Sequence, residues 1–239
     1  MDDGARIHVE VHGEGPVVLF LHGALAAGGA FRGQLPALRE RHRVLLMDQR
    51  GHGRSSRLRD DEDVDVARLA ADALAVVDAH GGRASLVGAS MGGLVAARVA
   101  QDRPEAVDAL ALLSTPAGPD EGWMAFFAGT PPEALPPATQ RLARHWHGEP
   151  DWRVLARRLF RHFAAPPTDA FARRPRPRRA LVMQAVDDEL LDPGDAQAWA
   201  ARIEAPVLVE PAAGGHAFFA DGRDGTRAAN RALARLLDA

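Results

Sequence analysis

Six short stretches, VVLFLH (17–22), RVLLMD (43–48), ASLVGA (84–89), ALALLS (109–114), ALVMQA (180–185) and PVLVEP (206–211), are apolar almost without interruption. A strand with one face in water alternates apolar and polar residues. Unbroken apolar runs of this length suit strands covered on both faces, as in a parallel sheet between layers of helices. RIHVEV (6–11) does alternate, which predicts an edge or half-exposed strand. Helical spacing fills the intervals. Val66, Leu69, Ala70, Ala73, Leu74 and Val77 share one face of 64–79, and 91–101 is a run of small residues able to pack closely on a sheet. Residues 195–203 and 226–237 are further helices, with Thr226 placed as an N-cap. This alternation predicts an α/β fold built on a mostly parallel, doubly wound sheet. A chain of 239 residues is long enough to give it one sizeable core.

Residues 116–180 break the rhythm. They hold Pro116, Pro119, Pro131, Pro132, Pro136, Pro137, Pro150, Pro166, Pro167, Pro175 and Pro177 of the chain's 17 prolines. Trp123, Phe126, Phe127, Trp146, Trp152, Phe160, Phe163 and Phe171 also fall there, out of 4 tryptophans and 9 phenylalanines in all. Asp151 can cap a helix whose apolar stripe is Trp152, Leu155, Leu159, Phe160 and Phe163, with Arg153, Arg157, Arg158 and Arg161 turned elsewhere. The segment is too small for an independent core, so it reads as a helical lid inserted into a unit made of 1–115 and 181–239. RRPRPRR (173–179) reads as a stiff linker back to the sheet.

Composition removes several chemistries. A formal charge of −3 gives no electrostatic reason to expect nucleic acid. The absence of cysteine rules out disulfides, thiolate metal sites and cysteine nucleophiles. The absence of lysine rules out a P-loop and Schiff-base chemistry. No apolar run approaches the ~20 residues of a membrane span. MDDGARIHVEVHGEGP has neither a basic n-region nor an apolar h-region, so the expected address is the cytoplasm.

Gly88-Ala89-Ser90-Met91-Gly92 fits G-x-S-x-G between an apolar strand and a helix-prone stretch, the context in which that string carries meaning. A serine in a strained strand-to-helix turn needs neighbours without bulk, and the turn aims amides of the following helix at the serine oxygen. A free hydroxyl is a poor nucleophile near neutral pH, so Ser90 needs a base. Among ten histidines, His216 alone follows an apolar strand directly and sits in a small-residue loop, AAGGHAFF. The acid that orients such a base belongs at the end of the preceding strand, where Asp187-Asp188 offers two carboxylates. Asp192 and Asp195 read as a turn residue and an early-helix carboxylate. A second amide donor is available in LFLHGALAAGGAF, at Ala24 or Leu25, with His22 pinning the loop.

HGALAAG, DQRGHGRSS (48–56), GASMGG, DDELLDP and GGHAFF together resemble the landmarks of the α/β-hydrolase fold, in order and across nearly the whole chain. The resemblance is to small bacterial serine hydrolases with a helical cap. It implies Ser90 as nucleophile, His216 as base, Asp188 as acid, and the backbone amides of Ala24 and Met91 as the oxyanion hole. One departure is Ala185, where that family usually has glycine three residues before the acid. Asp48, Arg50 and His52 belong to a landmark that shapes the strand-end loop.

The implied activity is hydrolysis of a small, mainly apolar carboxylic ester or lactone through an acyl-serine, without metal or cofactor. Enol-lactonases and cofactor-free perhydrolases share these landmarks. Trp123, Phe127, Trp146 and Phe218 are the candidates to line the substrate site. Hydrolysis of a carbon–carbon bond beside a ketone would use the same three residues, and a ligand-binding protein can keep the fold without catalysis. An aspartate-nucleophile mechanism is disfavoured by Ser90 at the elbow. GHGRSS and GASMGG each lack a glycine of the dinucleotide fingerprint. His145-Trp146-His147 reads as lid packing or substrate contact in preference to a metal site. The expected partner is a small molecule, with the chain a monomer or homodimer and no membrane or nucleic-acid surface.

Overall fold

The structure is a computed structural model and describes residues 4–58, 64–118, 121–164, 173–220 and 222–238. Phe171, Pro166 and Pro167 lie outside the described residues, as does the side chain of Trp123. Within them, β1 (His8–His12), β2 (Val17–Leu21), β3 (Arg43–Asp48), β4 (Ala84–Ala89), β5 (Val107–Leu113), β6 (Arg179–Ala185) and β7 (Val207–Ala212) form one sheet. Its order is β1-β3-β2-β4-β5-β6-β7, with β1 antiparallel to β3 and every other pair parallel.

Both faces of the central sheet are covered, which is why those strands carry no polar alternation, whereas β7, expected from its apolar run to be covered as well, is an edge strand that leaves Leu208 and Val209 exposed. Leu19, Leu21, Leu45, Met47 and Leu86 point into one core, and Val18, Phe20, Val44, Leu46 and Val87 into the other. The covering helices are α1 (Leu35–Leu38), α2 (Val66–Ala79) and α3 (Met91–Asp102), and, after β6, α7 (Asp195–Arg202) and α8 (Asp224–Asp238). Asp65 caps α2, its carboxylate accepting from the Arg68 amide at 2.6 Å. The last helix begins at Asp224, not at Thr226. The Thr226 hydroxyl instead donates to the Phe219 carbonyl at 3.0 Å and accepts from the Gly222 amide at 2.8 Å, so it fastens the preceding turn inside the helix's first turn.

Between β5 and β6 the chain forms α4 (Glu121–Gly129), α5 (Pro137–His147) and α6 (Asp151–Ala164). Trp152, Leu155, Leu159, Phe160 and Phe163 of α6 are all buried, and their cluster is continuous with the one that holds Leu19 and Leu21 of the sheet. The arginines of α6 stay outside: Arg153 lies over the Trp152 ring at 4.7 Å, and Arg157 pairs with Glu133 at 3.2 Å. Asp151 opens α6 and pairs with Arg57 of the core at 3.0 Å. No helix among the described residues is long and apolar enough to cross a membrane.

Candidate active site

Ser90 occupies the bend between β4 and α3 with φ 51° and ψ −120°, a conformation that costs a residue with a side chain on the order of 1–3 kcal/mol. The bend is held tightly. A methyl group on Gly92 would meet the Leu21 carbonyl oxygen at 2.0 Å, and one on Gly88 would meet the Gly92 oxygen at 2.3 Å. The Ser90 amide donates to the Leu113 carbonyl at 3.0 Å, and the Ser90 carbonyl accepts from the Gly93 amide at 2.9 Å. The glycines on both sides are therefore steric requirements of the turn.

The loop after β2 lies directly against this bend. A methyl group on Gly23 would come within 3.3 Å of Ser90 Cβ and 3.9 Å of its Oγ. Neither the Ala24 amide nor the Met91 amide has a hydrogen-bond partner among the described residues. These two residues directly follow Gly23 and Ser90, the residues whose close approach brings the loop against the bend. His22 anchors the loop from below. Its Nδ1 donates to the Gly23 carbonyl at 2.8 Å, its Nε2 accepts from the Gln49 amide at 3.0 Å, and Gln49 Nε2 donates to the His22 carbonyl at 2.7 Å. Burial pushes the His22 imidazole down from 6.5 to about 4, against the opposing pull of the Gly23 carbonyl and Asp48, so it is neutral near pH 7.

Asp188 follows β6 and His216 follows β7, so both reach the same end of the sheet as Ser90, the carboxyl ends of neighbouring parallel strands where open α/β sheets place their crevice. His216 Nδ1 faces the Asp188 oxygens at 3.0 and 3.1 Å. The Asp188 side chain is 1% exposed and that of His216 19%. Burial raises the Asp188 pKa, but the imidazole and the Leu190 amide, which donates to Oδ1 at 3.0 Å, outweigh it and hold the carboxylate below its ordinary value. The hydrogen bonds of the His216 ring among the described residues run from Nδ1 to Asp188, and none joins Nε2 to Ser90 Oγ.

Asp187, next in the chain, points away from the imidazole and accepts from the Gly214 amide at 3.0 and 3.2 Å and the Gly215 amide at 3.2 Å. Those amide bonds hold its carboxyl below the usual range. One aspartate thus pairs with the histidine while its neighbour fastens the loop that carries it. Asp192 accepts from the Gly194 amide at 2.7 Å, and Asp195 from the Ala117 amide at 2.9 Å, the turn and early-helix positions expected of them.

DQRGHGRSS shapes the loop after β3. Asp48 accepts from the Gly28 amide at 2.8 Å and the Arg54 amide at 2.9 Å. Arg50 forms a two-pronged pair with Asp72, both contacts at 2.7 Å and both side chains 2% exposed. His52 stacks edge-on against His22, with ring centroids 4.8 Å apart, and against His147 of α5 at 5.3 Å.

Residues 16–135 match the sequence profile of the alpha/beta hydrolase fold. The chain belongs to the α/β-hydrolase fold family. Among curated relatives, it is 38% identical over 113 residues to the pimeloyl-[acyl-carrier protein] methyl ester esterase of Nitrosomonas europaea, an alignment covering 47% of this chain and 42% of that protein. It is 39% identical over 121 residues to epoxide hydrolase A of Mycobacterium tuberculosis, covering 49% of this chain and 38% of that one. The chain thus matches less than half the length of these relatives. A crystal structure of a hydrolase from Pseudomonas aeruginosa superposes with a TM-score of 0.79 at 25% identity, covering 100% of this chain and 97% of that one. The enol-lactonase of Burkholderia xenovorans LB400 superposes at 0.77 with 21% identity, covering 99% and 98%.

Of the residues expected to line the substrate site of this α/β-hydrolase fold, Phe218 is fully buried with Phe20, Phe31 and Phe219 in the core on the α8 side of the sheet. A side chain with no exposed surface cannot form a cleft wall, so Phe218 is a core residue. Phe127 packs on Phe160 and Phe163, with centroids 5.0 and 5.2 Å apart, and borders a cavity of about 610 Å³ between α4 and α6 that also touches Arg157 and Arg161. None of Ser90, Asp188 and His216 lines that cavity. Trp146 of α5 lies against Gly29, its ring where a methyl on that glycine would be, 2.6 Å from the nearest ring carbon. The two imidazoles of His145-Trp146-His147 are engaged separately. His145 stacks on Trp146, and His147 turns into the core.

Proposed function

We propose that this protein is a serine hydrolase acting on small, mainly apolar carboxylic esters or lactones. The observation that carries the reading is the half-buried Asp188–His216 pair at the sheet end that also presents Ser90, in its strained bend, with the bare Ala24 and Met91 amides in the adjoining loop and turn. Ser90 Oγ attacks the carbonyl carbon while His216 Nε2 takes the hydroxyl proton, and Asp188 stabilises the imidazolium that results. The carbonyl oxygen gains the negative charge and is received by the two amides, each donor worth on the order of 3 kcal/mol in the transition state. The intermediate collapses, His216 passes its proton to the leaving alkoxide, and an acyl-serine remains. Water then repeats the sequence and releases the carboxylic acid; from a lactone the acid and alcohol leave as one molecule. The aromatic cap and the similarity to a methyl ester esterase support a carboxylic ester, or its cyclic form a lactone, as the bond cleaved.

A fluorophosphonate probe and p-nitrophenyl acetate test the proposal together. The expected result is covalent labelling confined to Ser90, with Ser90→Ala losing label and on the order of a millionfold in kcat while the fold is kept. Turnover that survives in Ser90→Ala refutes the mechanism. Hydrolysis of a vinylogous diketone with no turnover of any ester or lactone refutes the substrate class.

A further inference from the structure

The amide that would receive the oxyanion belongs to a turn held by two histidines, one from the core and one from the cap. The Ala26 amide donates to the Gly23 carbonyl at 3.2 Å, closing a four-residue turn whose third residue, Leu25, takes φ 60°. Glycine is the usual residue at such a position, because a side chain there is strained. The turn does not use the N–H of its second residue, and this leaves the Ala24 amide bare. His22 grips the turn at the Gly23 carbonyl from within the core. His147, at the last turn of α5, grips it at the Leu25 carbonyl, with Nε2 to oxygen at 3.0 Å. His147 Nδ1 accepts from the Gly53 amide at 3.1 Å, which fixes the proton on Nε2 and makes the ring a neutral bridge between two core loops. The residue is 2% exposed, so solvent does not compete for either bond. Arg57, which pairs with Asp151, also donates to the His147 carbonyl at 3.0 Å and ties the same corner.

We propose that His147 is a positioning residue for hydrolysis. By docking the cap on the Leu25 carbonyl it holds the turn that presents the Ala24 amide, so seating of the cap and assembly of the oxyanion hole are one event. The inference rests on the serine-hydrolase reading above and extends it to a residue outside the catalytic set. A cap residue that contacts only substrate would alter KM. One that sets the oxyanion donor alters kcat, because the donor acts on the transition state.

The experiment compares His147→Ala, His147→Gln and wild type on p-nitrophenyl acetate, a substrate too small to depend on the cap for binding, with thermal unfolding in parallel. The Ala variant is expected to lose about tenfold or more in kcat, since removing such a donor outright costs on the order of a hundredfold, with KM changed by less than about threefold. Gln, which can donate and accept from one amide, is expected to restore kcat to within about threefold of wild type. If the Ala variant does not fold, His147→Phe keeps the ring volume without the hydrogen bonds and gives the same readout. A kcat within twofold of wild type in the Ala or Phe variant, whatever its Tm, overturns the proposal. A raised KM at unchanged kcat overturns it as well. If wild type neither hydrolyses the ester nor labels at Ser90, the hydrolase reading itself fails and the positioning role falls with it.

Discussion

Lowering the pH tests whether His22 is held neutral in the folded protein. The ring uses both nitrogens, Nδ1 as donor to the Gly23 carbonyl and Nε2 as acceptor from the Gln49 amide. A proton on Nε2 removes that acceptor and leaves a charge in a site where the residue is 0% exposed. Burial lowers the pKa from 6.5 to about 4, whereas the unfolded chain titrates near the unperturbed value. Between those values the unfolded state binds the extra proton, so stability is intact above pH 6.5 and falls as pH drops towards 4, where the loss levels off. At 1.36 kcal/mol per pH unit the full loss is about 3 kcal/mol, of which about 2 kcal/mol has gone by about pH 5. His52 and His147 are also pushed down, chiefly by burial, and add to the loss with the same sign. Native stabilities are only about 5–15 kcal/mol, so the effect is large enough to measure. The assay is urea unfolding of wild type and His22→Gln at about pH 7.5 and about pH 5. Gln removes the titrating group, so the variant is expected to be less stable at the higher pH and to lose about 2 kcal/mol less than wild type on acidification. Equal losses in the two proteins refute the reasoning.

Two further substitutions separate the roles assigned at the site. Asp188→Asn is expected to cost about 10⁴-fold in kcat on p-nitrophenyl acetate through loss of the imidazole's orientation and charge partner. Asp187→Asn, whose amide oxygen can still accept from Gly214 and Gly215, is expected to cost far less, and the reverse ranking would make Asp187 the acid. Ser90→Gly abolishes activity but relieves the strain at φ 51°, so it is expected to exceed Ser90→Ala in stability by about 1 kcal/mol in urea unfolding. A less stable Gly variant would show that the bend is not strained.

The central strands of the sheet were legible because they are buried on both faces, whereas β7, an equally apolar run, lies at the sheet edge with Leu208 and Val209 exposed. RVLLMD and ASLVGA coincide with β3 and β4 residue for residue, since an uninterrupted apolar run leaves little room for another assignment. The Ser90 bend was legible for a steric reason, as few contexts other than a tight strand-to-helix turn call for Gly88 and Gly92 together. Asp187 and Asp188 could not be told apart by residue type, because adjacent carboxylates differ only in direction, and direction is set by the turn after β6. Thr226 looked like a helix cap because a hydroxyl near a helix start can bond backwards as well as forwards. Phe218 is two residues from His216, but the short helical turn at Phe218–Ala220 swings its ring beneath the sheet. The bridge made by His147 had no local signature. Its partners, Leu25 and Gly53, lie 122 and 94 residues away in the chain, and only the docked cap brings them together.

The apolar stripe of α6 shares one interior with the sheet. Exchanging this cap for that of a related enzyme would therefore open voids beneath the graft or force clashes there, so cassette swaps should give poorly folded chimeras. Diversification is cheaper at the outward tip of α4 and around the arginine-bordered cavity, where side chains can change without disturbing the foundation. New specificities for this scaffold are best sought by point changes on that outer rim.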